Sequence, residues 1–413
     1  MEQFLRKLNQ SKQPKPRPVN KFKPAILLAV LCISGISFHN YTTPEEEPVA
    51  ISISLPTEDF SPVQKNGKLV STQKHGKTFK PTPLDQLGFP VLTEDVVIAL
   101  QHQLHVLEKS NFRDGSKKGH PGMTYSGMKQ VLDLLISHAG SQPSDLEQHL
   151  EAWQSWGDDK HGNVYFTGYY TPTMKVKKTK DAKYKHPIYA YPSDWTGKLP
   201  SRAEIDGKGA LEGLGLELAY AADPFDIYVM QLQGSGTVEF VDTQERMLFR
   251  YAGENGHRYR NIQRFFKNRP DLSISNLSMT GIRRFLAKNP HLTDTVLYYN
   301  PSYTFFTPKT GLAKGSGEVP LMEGISIAAD GRYYPPGSVV LAALPVYQDG
   351  KVTHHEYRIL LPQDVGGSVK GPGHVDVYCG NGELGRNKAA ALHHYGRLWV
   401  LAPKRNEQVA MLD

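Results

Sequence analysis

From Asn163 to residue 403 this chain is cut by Gly and Pro into short apolar and aromatic runs, and that punctuation constrains its fold most. The runs VYFTGYYTP, HPIYAYP, IYVMQLQGSGTVEF, TFFTP, ISIAAD, SVVLAALPV, EYRILLP, HVDVYCG and RLWVLAP have strand length and are rich in β-branched and aromatic residues. With 37 Gly and 29 Pro in 413 residues, a β-rich protein is favoured over a helical bundle. A helical interlude over about 257–299 (RNIQRFF, MTGIRRFLAKNP, LTDTVLYY) divides the strand runs. Three helices are predicted ahead of them. The first starts at Thr93, with Val96, Val97, Leu100, Leu104 and Leu107 at helical spacing. The second carries Met128, Val131, Leu132, Leu134 and Leu135. The third opens on a Ser144–Glu147 capping box and places Leu146, Leu150 and Trp153 on one face. Strands and helices do not alternate, so a parallel βαβ fold is disfavoured, and helices packed on one or two β-barrels are expected.

Charge is concentrated at one end. Residues 1–24 hold seven Lys or Arg against Glu2 alone, so +6 of the net +7 lies there. The remainder is close to neutral, which argues against a nucleic-acid-binding face. Ala25 to Phe38 follows with 14 uncharged residues. That is short for a membrane span of about 20 and suits an export signal, with an uncleaved anchor as the alternative. Residues 1–40 thus read as signal or anchor and 41–84 as a linker. Leu31 precedes Cys32 where a lipoprotein signal needs a small residue, and Cys379 is the other cysteine. No disulfide, zinc or redox motif follows from this pair, and no metal or cofactor is expected.

The segment richest in chemistry is LPQDVGGSVKGPGHVDVYCG, residues 361–380. Asp364 and Asp376 bracket four glycines and Lys370. Asp376 lies in an alternating strand, on the face shared by His374 and Tyr378. A carboxyl shielded there would keep its proton and act as a general acid. Turn-capping is the plainer role for both aspartates. Asp-Val-Gly-Gly also resembles one half of an aspartic-protease site, but that chemistry needs two such elements and no second copy exists.

VYFTGYYTPTM, residues 164–174, packs four aromatics into six positions, more than a two-sided strand needs. Tyr169 and Tyr170 could stack on sugar rings while Thr167 and Thr171 bond to sugar hydroxyls; core packing competes for half of these rings. Gln231 and Gln233 read as one strand face, followed by Gly234 and Ser235 in what could equally be a plain hairpin turn. Amides suit N-acetyl and hydroxyl groups. Arg202, Arg258, Lys314 and Lys370 could meet carboxylates of a peptide-bearing sugar, or simply be solvated. His393-His394 and HHEYR lack metal-site spacing.

In order along the chain, YFTGYYTP, LPSRAEI, QGSG, YAG-NGH-YR, NPSYTFF, VPL, AAD, DVGG-x-x-KG, Asp-x-Tyr and HHYGRLWVL resemble the membrane-bound lytic murein transglycosylase A family over about residues 160–402. The resemblance implies a double-psi β-barrel domain (85–171 and 265–405), an inserted smaller β domain (172–264), and a groove between them. It implies cleavage of the β-1,4 bond between N-acetylmuramic acid and N-acetylglucosamine in peptidoglycan glycan strands, leaving 1,6-anhydromuramic ends. By motif position Asp376 is the implied acid and base and Asp364 its support. Thr167, Gly168, Tyr169, Tyr170, Arg202, Gln231, Gln233, Gly234, Ser235 and Lys370 are the implied substrate contacts. A monomer in the periplasm, held at a membrane through its N-terminal segment, is expected. The rival from another class is a non-catalytic, expansin-like polysaccharide-binding barrel.

Overall fold

The structure, a computed structural model, describes residues 64–65, 68–69, 78–114, 123–140, 145–348 and 351–404. The expected signal, Cys32, most of the linker and Ser144 lie outside these residues. No helix among the described residues is long and apolar enough to cross a membrane.

After a two-residue pair, β1 (Gln64–Lys65) and β2 (Lys68–Leu69), the strands are β3 (Phe79–Thr82), β4 (Leu150–Ser155), β5 (Val164–Thr171), β6 (Thr173–Lys177), β7 (His186–Tyr189), β8 (Glu217–Ala221), β9 (Ser235–Phe240), β10 (Arg246–Glu254), β11 (Thr304–Lys309), β12 (Ser326–Ala328), β13 (Val340–Gln348), β14 (Lys351–Asp364), β15 (His374–Asn381) and β16 (His393–Pro403). They build two large sheets. One has eight strands in the order β13-β14-β12-β15-β5-β16-β4-β3, and an added β13–β16 pairing joins its first six into a ring. Two pairings within that ring, β12–β14 and β15–β5, are parallel. The ring is the barrel, and alternation along each strand fills it: Phe166, Ile327, Val340, Leu360, Val375, Val377, Leu398 and Val400 form one buried cluster inside. The other sheet has six strands, ordered β11-β10-β9-β6-β8-β7. Its strand β11 lies well past residue 264 and pairs with β10.

Two helices, α1 (Glu94–Lys109) and α2 (Tyr125–Ser137), cover the barrel's outer side. Leu100, Leu107, Leu132 and Leu135 pack there on Leu341, Ile359, Leu361, Trp399 and Leu401. Thr124 caps α2 by accepting the Gly127 N–H at 3.0 Å, whereas Thr93 precedes α1 without a side-chain cap bond. Buried Gln103 of α1 donates to the Ser338 carbonyl at 2.8 Å, fastening the helix to the barrel.

Two sequence expectations fail. The predicted third helix is strand β4, in which Leu150 joins the outer cluster and Trp153 the inner one. Pairing on both sides, with β3 and β16, overrode a local helical pattern. Gln231 and Gln233 lie not on a strand but in a helix, α3 (Pro224–Gln233). Asp223 caps it, Pro224 opens it and Gly234 ends it with φ of 77°. Phe225, Ile227, Tyr228, Val229 and Met230 are all buried, so the helix shows no polar face and its period is hidden. Four further helices follow: α4 (Gln263–Lys267), α5 (Met279–Lys288), α6 (Thr293–Tyr298) and α7 (Gly382–Ala391). The first three pack with α3 around Tyr228, Phe266, Ile282 and Val296.

Candidate active site

Strand register gathers the site. Ala328 of β12 pairs with Asp364 on one side and with Asp376 on the other. Asp376 in turn pairs with Thr167, and Thr167 with His393. Asp364, Ala328, Asp376, Thr167 and His393 therefore form one row across five strands. At about 4.8 Å per strand the two aspartate backbones stand about 10 Å apart, with only a methyl group between them. Val375 and Val377 point into the barrel, so Asp376 points out of it.

The two carboxyls are held differently. Asp364 Oδ1 accepts backbone N–H bonds from Ser316 at 2.9 Å and Val365 at 2.8 Å. The Tyr169 phenol also acts on it, and burial outweighs these donors, so its pKa is raised. Asp376 is half-buried, and its Oδ1 accepts one bond, from Thr167 Oγ1 at 2.9 Å. Burial pushes its pKa up to about 6, the Thr167 bond pulls it down, and the negative charge of Asp364 pushes it up again. Among the described residues no ion pair involves Asp376. A carboxyl of this kind can be an acid at neutral pH and, once ionised, a base.

The glycine-rich stretch before Asp376 is braced by protein. Tyr334 Oη and Ser155 Oγ both donate to the Pro372 carbonyl, at 2.5 and 2.8 Å, and Gly371 N–H donates to Asp330 at 2.9 Å. A Cβ on Gly373 would stand 2.5 Å from the Asp158 backbone nitrogen. Gly371 and Gly373 thus admit the loop that carries Asp158.

The expected substrate contacts separate. Tyr169 has its hydroxyl sealed from solvent and its ring 5.3 Å from Tyr378. Burial, then the charges of Asp364 and Asp376, raise its pKa well above 10. Thr167 is engaged by Asp376. Gly168 points to the opposite face, where a Cβ would come within 2.6 Å of Ala389 Cα; it seats α7. Tyr170 packs against the helical cluster, and its N–H donates to Gln233 Oε1 at 3.0 Å. Gln231 is buried and donates to the Thr304 carbonyl at 3.1 Å. Gly234 is the helix terminator, and Ser235 begins β9 half-buried. Arg202 is 2% exposed, bonded to the Asn300 and Ser302 carbonyls and flanked by the rings of Tyr228 and Tyr303. It braces the interior from a buried position. Lys370 is exposed, 3.4 Å from the Gly366 carbonyl. Within the YAG-NGH-YR motif, Asn255 staples Pro200, Pro301 and Tyr303 together.

The AAD motif contains Ala328, but sequence reasoning gave it no role; its small side chain is the spacer between the carboxyls. That role depends on a parallel and an antiparallel pairing with later strands.

A barrel carrying two carboxyls in a single row, one held by two backbone N–H groups and the other by one hydroxyl, is an arrangement able to do acid–base chemistry. The family model "MltA specific insert domain" matches residues 165–307, and a "3D domain" model matches residues 325–402. A membrane-bound lytic murein transglycosylase A of Escherichia coli K12 is 35% identical over 339 residues, covering 79% of this chain and 88% of that protein. One from Vibrio cholerae is 35% identical over 281 residues, 67% of this chain and 76% of its own. The crystal structure of E. coli MltA with bound chitohexaose matches with a TM-score of 0.68 at 32% identity, covering 85% of this chain and all of that one. A structure from Agrobacterium tumefaciens shares the fold, with a TM-score of 0.65 at 23% identity. The chain belongs to the membrane-bound lytic murein transglycosylase A family.

Proposed function

We propose that this lytic murein transglycosylase cleaves the MurNAc–GlcNAc bond of peptidoglycan with Asp376 as both acid and base. The observation that carries this reading is the asymmetry of the two aspartates. Asp364 is bound by two backbone N–H groups and faces the Tyr169 phenol, so it is tied down. Asp376 has one partner, no cation and a raised pKa. In the protonated form it gives its proton to the glycosidic oxygen as the bond to muramic C1 breaks through an oxocarbenium-like state. As a carboxylate it then takes the proton of the same sugar's C6 hydroxyl, which closes on C1. The nucleophile belongs to the substrate, so its effective concentration is high and no second carboxylate need hold water. Asp364 acts as a fixed negative charge that keeps the Asp376 proton on.

Glycan is the substrate class supported by the chitohexaose bound to the E. coli relative. We place the enzyme at a membrane, facing the cell wall and tethered through residues 25–38, as a monomer whose inserted domain begins near residue 172. Digestion of purified murein with the full chain, followed by mass spectrometry, tests the chemistry. Anhydro ends support the reading; water-added ends overturn it.

A further inference from the structure

One row of side chains beside Asp376 has no part in the chemistry above. Two residues before Asp376, His374 pairs with Tyr165, and Tyr165 pairs with Tyr395, all on the outer face of the barrel. The rings are in contact, with centroids 5.6 Å apart for Tyr165 and His374 and 4.9 Å for Tyr165 and Tyr395. The row ends in a hydrogen bond that reaches the acid: His374 Nε2 lies 2.8 Å from Thr167 Oγ1, the hydroxyl that donates to Asp376 Oδ1 at 2.9 Å. A threonine hydroxyl has one proton. With that proton committed to the carboxylate, its oxygen accepts from His374, which makes the imidazole the Nε2–H tautomer. Burial lowers the His374 pKa, which keeps the ring neutral with a single N–H to give.

We infer that His374 is a positioning residue, acting through Thr167 to hold Asp376 Oδ1 so that Oδ2 alone exchanges protons with the glycan. The inference rests on Asp376 being the acid and base. The terminal torsion of an aspartate is broad, so an unheld carboxyl swings between its two oxygens. A group that must give a proton to one oxygen of the substrate and then take one from a neighbouring oxygen works best without turning. The chain from imidazole to hydroxyl to carboxylate fixes that orientation, and the two tyrosines fix the imidazole. Asp364, from β14, acts on Asp376 as a second negative charge.

Steady-state kinetics of the full chain on a soluble murein glycan fragment test this, with anhydro ends as the product measured. Loss of a positioning contact should lower kcat and leave KM alone. Expected are a kcat lower by about tenfold for His374→Phe and by about thirtyfold for Thr167→Val, each with KM within about twofold. His374→Gln, which keeps an N–H donor, and Thr167→Ser should return to within about threefold of the parent. The double variant His374→Phe/Thr167→Val should be no slower than Thr167→Val alone, because one residue acts through the other. Losses that multiply, an effect confined to KM, or an unchanged kcat in His374→Phe would overturn the inference. Near-UV circular dichroism checks each fold, and His374→Ala replaces His374→Phe in the same cycle if the larger ring disrupts packing. Asp376→Asn is run alongside: if it still releases anhydro ends, the acid–base assignment has failed rather than the positioning role.

Discussion

Asp206 and Asp376 lie in separate parts of the molecule, and burial pushes both up to about 6. Each has a hydroxyl beside it, but their charged surroundings differ. Asp206 sits in a single π-helical turn (Ala203–Gly207), 3.6 Å from the buried guanidinium of Arg202 and beside the Tyr303 hydroxyl. Asp376, half-buried, has no cation beside it and one hydroxyl partner. Arg202 itself is fully used by main-chain carbonyls and two aromatic faces. A displaced pKa therefore does not mark an acid–base residue by itself. What separates the two is the compensating charge: Asp206 has the Arg202 guanidinium beside it and Asp376 has no cation. Asp206 is paired with a cation within its own cluster, and Asp376 is not.

The sharpest way to break that contrast is Asp376→Asn. Release of anhydro ends should fall by at least about 10³-fold with the melting temperature retained, since one group supplies both proton transfers. An equal loss from Asp206→Asn with the fold intact would erase the distinction.

Next in size is Arg202→Ala. Removing the buried guanidinium leaves the Asn300 and Ser302 carbonyls unmet and two aromatic faces unpacked, and urea unfolding should show a loss of about 3 kcal/mol. The corresponding removal of an exposed cation, Lys370→Ala, should fall within about 0.5 kcal/mol.

A smaller effect is expected from Asp364→Asn, which keeps an acceptor for Ser316 and Val365 but removes the charge. Without it the Asp376 proton is lost more easily, so the alkaline limb of kcat/KM moves to lower pH, and activity at pH 7 drops roughly threefold. A limb that stays in place would show that Asp364 does not sustain the acid form.

The smallest is a stability trend. Folded Asp376 binds its proton more tightly than the unfolded chain does, so its contribution is full below about pH 4. It is lost as pH rises through about 6. The melting temperature of Asp376→Asn relative to the parent should rise between pH 4 and pH 7. A constant difference would mean that the carboxyl titrates normally.

Much of this was legible before the fold was known. Alternation in HVDVYCG placed His374, Asp376 and Tyr378 together on one face, and the structure keeps them on the outside of the barrel. Helices α1 and α2 followed from apolar spacing at 3.6 residues, and α5 falls in the expected helical interlude. The misreadings have different physical causes. Leu150–Ser155 carried a local helical pattern that strand pairing overrode, whereas Pro224–Gln233 is short and mostly buried, so it lacks the polar face from which a period is read. For α3 the stop signals were present, Asp223-Pro224 ahead and Gly234 behind, and they outweigh the apolar run between them.

The sequence by itself determined which residues can do chemistry here: a strand-borne aspartate beside glycine turns, aromatic strands and an order of motifs shared with one family. Only the tertiary structure decided which of them meet. Asp364, Ala328, Asp376 and Thr167 become neighbours through pairings of strands up to about 200 residues apart along the chain. Register across a sheet is set by packing and closure of the whole barrel, and a local window of sequence holds no trace of it.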